Sequence, residues 1–314
     1  MTNYSESFFM GNRDTSYLGD FEEQNKYQED DYVCHIEDPN DSHSSIARRV
    51  RESSKVLDIG CATGIIGKLL KENKDCVVTG IEYDEVSYKI ALESGNYQTV
   101  YNFSITDYKN KLYRKFLKNK SKYDYIILAD VLEHIDDPLK IIDIFKDKLK
   151  SNGKFLISVP NIAHIDIIKG LINKKFDYNN VGILDSTHLR FFTATSFVEM
   201  IQNYNKLHNE YFSVEYFDST YVIPDYVCKK GLYKYLNDND YNIVQNIFEL
   251  TKVGSKDKVE YINIPKKENV FEDINNKIEN LENRIKELEI ENKKLQDRKQ
   301  WWKYEEMWCN NSGL

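Results

Sequence analysis

The sequence predicts an α/β fold built on a doubly wound, mostly parallel sheet. Three observations predict it. Short apolar runs of strand length recur at Val56-Leu57-Asp58-Ile59, Cys76–Ile81, Tyr123–Ala129 and Lys154–Val159. Stretches with apolar residues three and four apart lie between them. The first run passes into Gly60 and Gly64, and the second ends at the acid Glu82. Strand, tight turn and helix form the unit that such a fold repeats. Its ligands gather at the C-terminal ends of the strands.

In chain order, residues 1–41 are polar with scattered aromatics (Tyr4, Phe8, Phe9, Tyr17, Phe21) and are expected to form an N-terminal arm or lid. Within it, residues 27–35 read as an edge strand or lid segment. Residues 42–51 read as a helix, because Ile46 and Val50 fall on one face. Gly60 and Gly64 permit a sharp turn and a close approach of backbone to a ligand, and Gly67 lets the next helix pack near the sheet. Residues 84–94 read as a helix and residues 99–103 as a third strand. Tyr123–Ala129 is the fourth. Asp137-Pro138 opens a helix with Leu139, Ile142, Ile144 and Leu149 on its apolar side. Asn152-Gly153 reads as a turn and Lys154–Val159 as the fifth strand, stopped by Pro160. Residues 193–206 read as a helix. Residues 211–222 and 258–264 alternate like two late strands, with a helical insertion at about 226–252.

The 314 residues carry 43 Lys and Arg against 51 Asp and Glu, a formal net charge of -8. That balance argues against a nucleic-acid partner, which calls for a basic face. Five cysteines (Cys34, Cys61, Cys76, Cys228, Cys309) form no C-x-x-C pair and no zinc spacing. Their odd number points to a reduced, cytoplasmic protein. The first residues lack the basic start and apolar stretch of a signal peptide. No run approaches 18 apolar residues, so no membrane span is expected.

Four segments together carry a resemblance: VLDIGCATG, GIEYDE, YDYIILADVLEHIDDP and LKSNGKFLISVPN. They resemble the class I S-adenosylmethionine (SAM)-dependent methyltransferases, over roughly residues 42–264. ADVLEH followed by Leu184-Asp185-Ser186-Thr187-His188-Leu189-Arg190-Phe191-Phe192-Thr193 is similar to a bacterial subfamily associated with surface-glycan assembly and glycosyltransferases. The resemblance implies a Rossmann-like sheet whose last strand is antiparallel, a methyltransferase domain over 42–266, and SAM as cofactor. It also implies residue roles. Gly60, Cys61, Ala62 and Gly64 would face the methionine part of SAM, and Asp58 would order that turn and meet the amino group. Glu82, with Tyr83 beside it, would hold the ribose hydroxyls. Ile105 would pack on the adenine, and Ser104 stands where the family often has an adenine-binding Asp. Ala129 and Asp130 would line the sulfonium end.

Methyl transfer to a hydroxyl needs alignment and removal of a proton. Histidine suits the second task near neutral pH. His188 lies beside Asp185 and Arg190 in the loop after the fifth strand, on the ligand side of the sheet, and is the first candidate base. His134 and Asp130 complete the candidate catalytic set. Asp185, Arg190 and His164 are candidate acceptor contacts, with Arg190 as a clamp for an acidic sugar or a phosphate. The plainer reading has His188 fixing its loop and Arg190 pairing with a nearby acid. Asp130-Val131-Leu132-Glu133-His134 also resembles the E-x-x-E-H cluster of ubiquinone-pathway O-methyltransferases and small-RNA 2′-O-methyltransferases. That likeness implies a divalent cation held by Asp130, Glu133 and His134, with His164 or His188 as a further ligand. Such a mixed set suits Mg²⁺ or Mn²⁺ only moderately, and the sequence favours no metal.

Residues 267–302 carry a heptad repeat. Ile274, Leu281, Leu288, Leu295 and Trp302 fall at d, and Phe271, Ile278, Ile285, Asn292 and Lys299 at a. Ile at a with Leu at d favours two parallel helices, and a single Asn at a sets register. Lys277–Glu282 and Arg284–Glu289 are the complementary g-to-e′ pairs of a parallel homodimer. The aromatic tail, residues 303–314, invites a partner such as a glycosyltransferase or a glycan. The sequence thus reads as an O-methyltransferase acting on a sugar or glycan hydroxyl in surface-polysaccharide or glycoconjugate biosynthesis. One rival acceptor is a small phenolic metabolite or an RNA 2′-hydroxyl, with a divalent metal. Another reading is a coiled-coil scaffold of a glycan-assembly complex.

Overall fold

The order of β1 (Lys55–Ile59), α2 (Ile65–Lys74), β2 (Val77–Glu82), α3 (Glu85–Glu93), β3 (Thr99–Asn102), α4 (Lys111–Lys118), β4 (Tyr123–Ala129), α5 (Pro138–Phe145) and β5 (Leu149–Pro160) is the expected alternation. The protein was analysed as a computed structural model that describes residues 34–208, 211–222, 242–265, 279–294 and 296. It divides into two units, residues 1–265 and residues 266–314. Helix α1 (Ser42–Arg49) precedes β1, while α6 (Ile165–Ile172), α7 (Ala194–Leu207), β6 (Tyr211–Tyr221), β7 (Ile243–Val253) and β8 (Tyr261–Ile262) follow β5. The eight strands form one sheet in the order β3-β2-β1-β4-β5-β7-β6-β8. β1 to β5 pair in parallel and β7 runs antiparallel to both β5 and β6. The order reverses between β1 and β4, which places the ligand crevice at the ends of those two strands.

Apolar side chains alternate between the two faces of the sheet. Leu57, Ile59, Ile126, Leu128, Phe155, Ile157 and Phe248 share one core with α4, α5 and α7. Val56, Tyr125, Ile127, Leu156 and Ile247 pack instead against α1 and α2. Both faces are thus covered, which is why these strands read as nearly continuous apolar runs. Arg49 of α1 pairs with Glu249 at 2.8 Å and also with Glu215, and Lys154 reaches Glu249. These contacts hold α1 on β6 and β7. Burial alone would raise the Glu249 pKa, but the two cations outweigh it and hold the carboxyl below its ordinary value. Lys148, buried at the start of β5, donates to the carbonyls of Phe116 and Asn119 and so satisfies the end of α4.

Four expectations are corrected. The helical insertion at 226–252 fails over its last third, because Ile243–Val253 is a strand. Lying between β5 and β6, it is covered on both faces, so its apolar residues lose the alternation that marks a half-exposed strand. Residues 223–241 lie outside the described set. The late strand at 258–264 shrinks to Tyr261–Ile262, paired in parallel with β6. Asn152-Gly153 is not a turn but part of β5, at a register shift opposite Tyr123 and Tyr125. A Cβ on Gly153 would sit 2.9 Å from the Tyr123 carbonyl oxygen, so only glycine lets the strands close there. Helices α4 and α6 were not anticipated. In α4, Tyr113 and Phe116 bury one face of a segment otherwise rich in Lys.

Most of the predicted arm, with the strand or lid segment at 27–35, lies outside the described residues, as does the aromatic tail. In the second unit, residues 279–294 form helix α8. Leu281, Ile285 and Leu288 are 53%, 56% and 48% exposed on it. Among the described residues, no helix is long and apolar enough to cross a membrane.

Candidate functional site

The turn between β1 and α2 is built for backbone approach. Gly60 and Gly64 hold φ of +72° and +102°, and Ala62 holds +44°. The N–H groups of Gly60 and Cys61 both donate to the Ile81 carbonyl, at 2.8 and 3.1 Å, which ties the turn to the end of β2. The Glu82 carboxylate completes the tie. One oxygen accepts from the Ala62 N–H at 2.9 Å and the other from the Asp84 N–H at 2.8 Å. Both oxygens are thereby held in a rigid frame at the C-terminal end of β2. Burial raises the Glu82 pKa, opposed by the N–H groups of Asp84, Ala62 and Tyr83. Tyr83 stands exposed next to it, and Asn102 of β3 donates to the carbonyls of both residues at 3.1 Å.

Beneath the turn lies Asp58, which is 1% exposed and accepts from the Tyr97 hydroxyl at 2.7 Å. That hydroxyl accepts in turn from the Gly67 N–H at 3.1 Å. Gly67 therefore serves a purpose beyond helix packing: a Cβ there would lie 2.3 Å from the Tyr97 ring. Burial pushes the Asp58 carboxyl up to about 6, against the Tyr97 hydroxyl and His43, which lower it. Cys61 is buried above it, and burial raises its thiol pKa, so it stays protonated. His43, on the first turn of α1, was given no role from sequence. Its ring nitrogen lies 3.6 Å from Asp41 and its side chain is 29% exposed. Burial would lower its pKa, but Asp41, then Asp130 and Asp58, together hold it above the ordinary value.

After β3, Ile105, the residue expected at the adenine, is buried in the core beside Phe103 and Tyr113. Ser104 hydrogen-bonds Thr106 through both hydroxyls at 2.8 Å. At the end of β4, Asp130 adopts φ +52°. Its oxygens accept from the Ser158 hydroxyl at 3.0 Å and the Gln245 amide at 2.6 Å.

The single-turn helix Leu132–His134 follows, and there the chemistry gathers. Ligand atoms of Glu133, His134 and His188 all lie within 4.8 Å of one another. The alternative metal set is corrected on one point: Asp130 is not in this group, its oxygens being turned to Ser158 and Gln245. Of the two histidines offered as a further ligand, His188 is the one brought here. His188 Nδ1 lies 3.0 Å from the Ile183 carbonyl, and His134 Nδ1 lies 3.3 Å from the Thr187 carbonyl. A carbonyl only accepts, so both Nδ1 atoms carry the proton and both lone pairs fall on Nε2. The Glu133 carbonyl accepts the N–H groups of Leu189 and Arg190, at 2.8 and 3.0 Å, so the loop is stapled to this helix by its own backbone.

The three candidate acceptor contacts are engaged elsewhere. His164 is fully buried: Nδ1 accepts the Asp166 N–H as the cap of α6, and Nε2 faces the Val222 carbonyl at 3.2 Å. Burial lowers its pKa and keeps it neutral. It shapes the loop and is not an acceptor contact. Asp185 is 2% exposed and accepts from the Thr187 N–H and hydroxyl, at 2.9 and 2.6 Å, which holds the turn that presents His188. The Arg190 guanidinium donates to the Asp136 carbonyl and carboxylate. It borders a surface cavity of about 430 Å³ lined by Asp137, Leu139, Phe192 and Met200. Next to His188, the rings of Phe176, Tyr178 and Phe191 lie edge to face, at 5.5 Å and 5.9 Å between centroids, and Phe176 and Tyr178 are exposed.

Sequence reasoning missed Tyr97, His43, Ser158 and Gln245. Tyr97 and His43 carry no spacing signal, and Gln245 lies in the stretch that reads as helical.

A ubiquinone biosynthesis O-methyltransferase of Pasteurella multocida is 34% identical over 121 residues, covering 34% of this chain and 46% of that protein. One from Actinobacillus pleuropneumoniae is 35% identical over 116 residues, with 34% and 46% covered. The chain thus spans about half the length of the curated relatives it matches. A solved SAM-dependent methyltransferase from Archaeoglobus fulgidus aligns with 68% of the chain and 95% of its own, at 18% identity and a TM-score of 0.43. A family profile described as a methyltransferase domain matches residues 31–205, more than half of the sequence. With this match spanning more than half of the sequence, the chain belongs to the methyltransferase-domain family.

Proposed function

We propose that this methyltransferase is an O-methyltransferase whose acceptor is a hydroxyl on a sugar or glycan. The convergence of Glu133, His134 and His188 beyond the end of β4 carries this reading. A hydroxyl becomes nucleophilic as its proton leaves, and an Nε2 lone pair on an oriented imidazole is a fitting acceptor for that proton. His188 takes that role, with its ring set by the Ile183 carbonyl. The exposed rings of Phe176 and Tyr178 offer an apolar ledge on which a pyranose face can lie. The sugar assignment itself is supported by the likeness of the ADVLEH and LD-x-THLRFFT motifs. Transfer of radiolabelled methyl from SAM to a panel of nucleotide sugars tests it, with Glu82→Ala as the cofactor-site control. Labelled sugar with the wild type and at least about a hundredfold less with the variant is the expected result. Label appearing only on phenols would overturn the sugar assignment and leave the O-methyltransferase reading intact.

A second reading has one observation in its favour. Two imidazole nitrogens and a carboxylate within 4.8 Å fit three ligands of a divalent cation. The curated relatives named as ubiquinone biosynthesis O-methyltransferases support a small phenolic acceptor beside it. When bound, such a cation would lower the pKa of the acceptor hydroxyl. Glu133, His134 and His188 would hold it, and mixed nitrogen and oxygen ligation suits Mn²⁺ better than Mg²⁺. Unchanged transfer in EDTA removes this reading.

The enzyme works as a parallel homodimer through residues 267–302. Supporting this, α8 exposes Leu281, Ile285 and Leu288 as an a/d stripe. A parallel partner sets Arg284 against Glu289, whereas an antiparallel one sets Glu282 against Glu289. Light scattering at micromolar concentration is expected to give a dimer for the wild type and a monomer for Leu281→Lys/Leu288→Lys. A wild-type monomer would refute it. The glycosyltransferase partner, tied to the tail at 303–314, concerns residues outside the described set.

A further inference from the structure

The end of β4 is held by a polar string that crosses four strands. The Thr220 hydroxyl of β6 donates to Gln245 Oε1 at 2.9 Å. Gln245 Nε2, on β7, donates to Asp130 Oδ2 at 2.6 Å. The Ser158 hydroxyl, on β5, donates to Asp130 Oδ1 and accepts the Asp130 N–H, each at 3.0 Å. The order of donors is forced. Asp130 as a carboxylate only accepts, so the Gln245 amide must face it with nitrogen, which leaves oxygen for Thr220. In the sheet, Gln245 stands opposite both Pro160 and Thr220, at the C-terminal edge where β4 also ends.

Two features make this more than a brace. Asp130 sits at φ +52°, a left-handed conformation that is unfavourable for a non-glycine residue and persists where neighbours impose it. The next residue, Val131, lies directly on the glycine turn: a Cβ on Gly60 would be 2.7 Å from its Cγ2. Whatever fixes Asp130 therefore fixes the wall that the turn and its ligand share. Both Asp130 oxygens accept hydrogen bonds, which fixes where the carboxylate points.

We infer that Gln245 is a positioning residue for the cofactor: with Ser158 it locks the Asp130 carboxylate as a fixed anion facing the sulfonium end of SAM. The inference rests on Asp130 lining that end. SAM carries a positive sulfur and S-adenosylhomocysteine a neutral one, so the ratio of their affinities reads the anion directly and needs no acceptor. Gln245→Leu releases the carboxylate, and the preference for SAM over S-adenosylhomocysteine is expected to fall about tenfold. The double exchange Asp130→Asn/Gln245→Glu separates positioning from bracing. It restores one donor and one acceptor across the same gap but moves the charge from β4 to β7. The expected result is a melting temperature within a few degrees of the wild type, with the SAM preference still lost. A preference that returns with the fold would overturn the inference, as would a wild-type ratio in Gln245→Leu. Wild-type protein that binds neither compound would instead count against the cofactor site as a whole.

Discussion

Replacing His188 with alanine is expected to lower methyl transfer by roughly a hundred- to ten-thousandfold, the range of a positioned acid–base group. SAM affinity should change less than about threefold, because His188 lies on the loop after β5 and not on the glycine turn proposed to hold the cofactor. The reason for so large an effect is orientation. The imidazole is aimed by its own loop: Ile183 accepts from Nδ1, and the backbone of Leu189 and Arg190 is pinned to the Glu133 carbonyl. His188→Gln keeps a polar side chain of similar reach but offers no basic nitrogen, so it should be nearly as inactive as alanine. Glu133→Gln distinguishes the two readings of the cluster. If the cluster acts by proton transfer alone, the variant keeps a measurable fraction of activity and is indifferent to EDTA. A variant as inactive as His188→Ala, in a wild type that EDTA silences, places a cation there. Wild-type rates in His188→Ala would show that neither reading locates the chemistry.

Asp58→Asn is expected to make the protein more stable at neutral pH and poorer at holding SAM. The sign follows from the raised pKa. Asp58 moves from an ordinary 3.8 to about 6 on folding, because burial disfavours its charged form. Between those values the folded state binds the proton more tightly than the unfolded chain. Stability therefore falls as pH rises from about 4 to about 6, and the penalty is fully present above that. Two pH units correspond to roughly 3 kcal/mol, which sets the most that Asn can recover at pH 7.5. Denaturant midpoints at pH 3.5 and 7.5 check this: the variant should match the wild type at the lower pH and exceed it at the higher. The same charge attracts the cationic end of SAM. Wild-type affinity should weaken below about pH 6, by up to tenfold per unit, as Asp58 takes up its proton. Asp58→Asn should bind about tenfold more weakly at pH 7.5, the worth of a nearby buried anion. It should also lose that pH slope. Parallel slopes in variant and wild type would show that Asp58 is not the group that couples.

A residue kept ionised at a stability cost beneath a ligand turn is the usual balance between function and fold. The Tyr97 hydroxyl lessens the cost with one hydrogen bond, and Gly64, Gly67 and Gly80 leave room for its ring. These glycines would otherwise look like a loose nucleotide motif. All three meet the ring of one tyrosine, which lies further along the chain.

The sequence alone determined the parallel half of the sheet and the turn that joins its first strand to the next helix. Strands β1, β2, β4 and β5 are buried on both faces, so their apolar runs are local and continuous. The glycine turn and Glu82 lie within 25 residues of one another, where spacing is enough. The acceptor end was legible as residue types, His134, Glu133 and His188, but not as a group. More than fifty residues separate its halves, and the backbone bonds from Leu189 and Arg190 to Glu133, with the contacts of Thr187 on His134, bring them together. The tertiary structure alone decided that His164 caps α6, that Asp185 shapes a turn, and that Arg190 pairs with Asp136. It alone turned a stretch that reads as helix into β7 and set Gln245 against Asp130. The physical reason is the same in each case. A polar side chain's role depends on which partner satisfies it, and in a sheet that partner comes from the neighbouring strand, whatever its place in the chain.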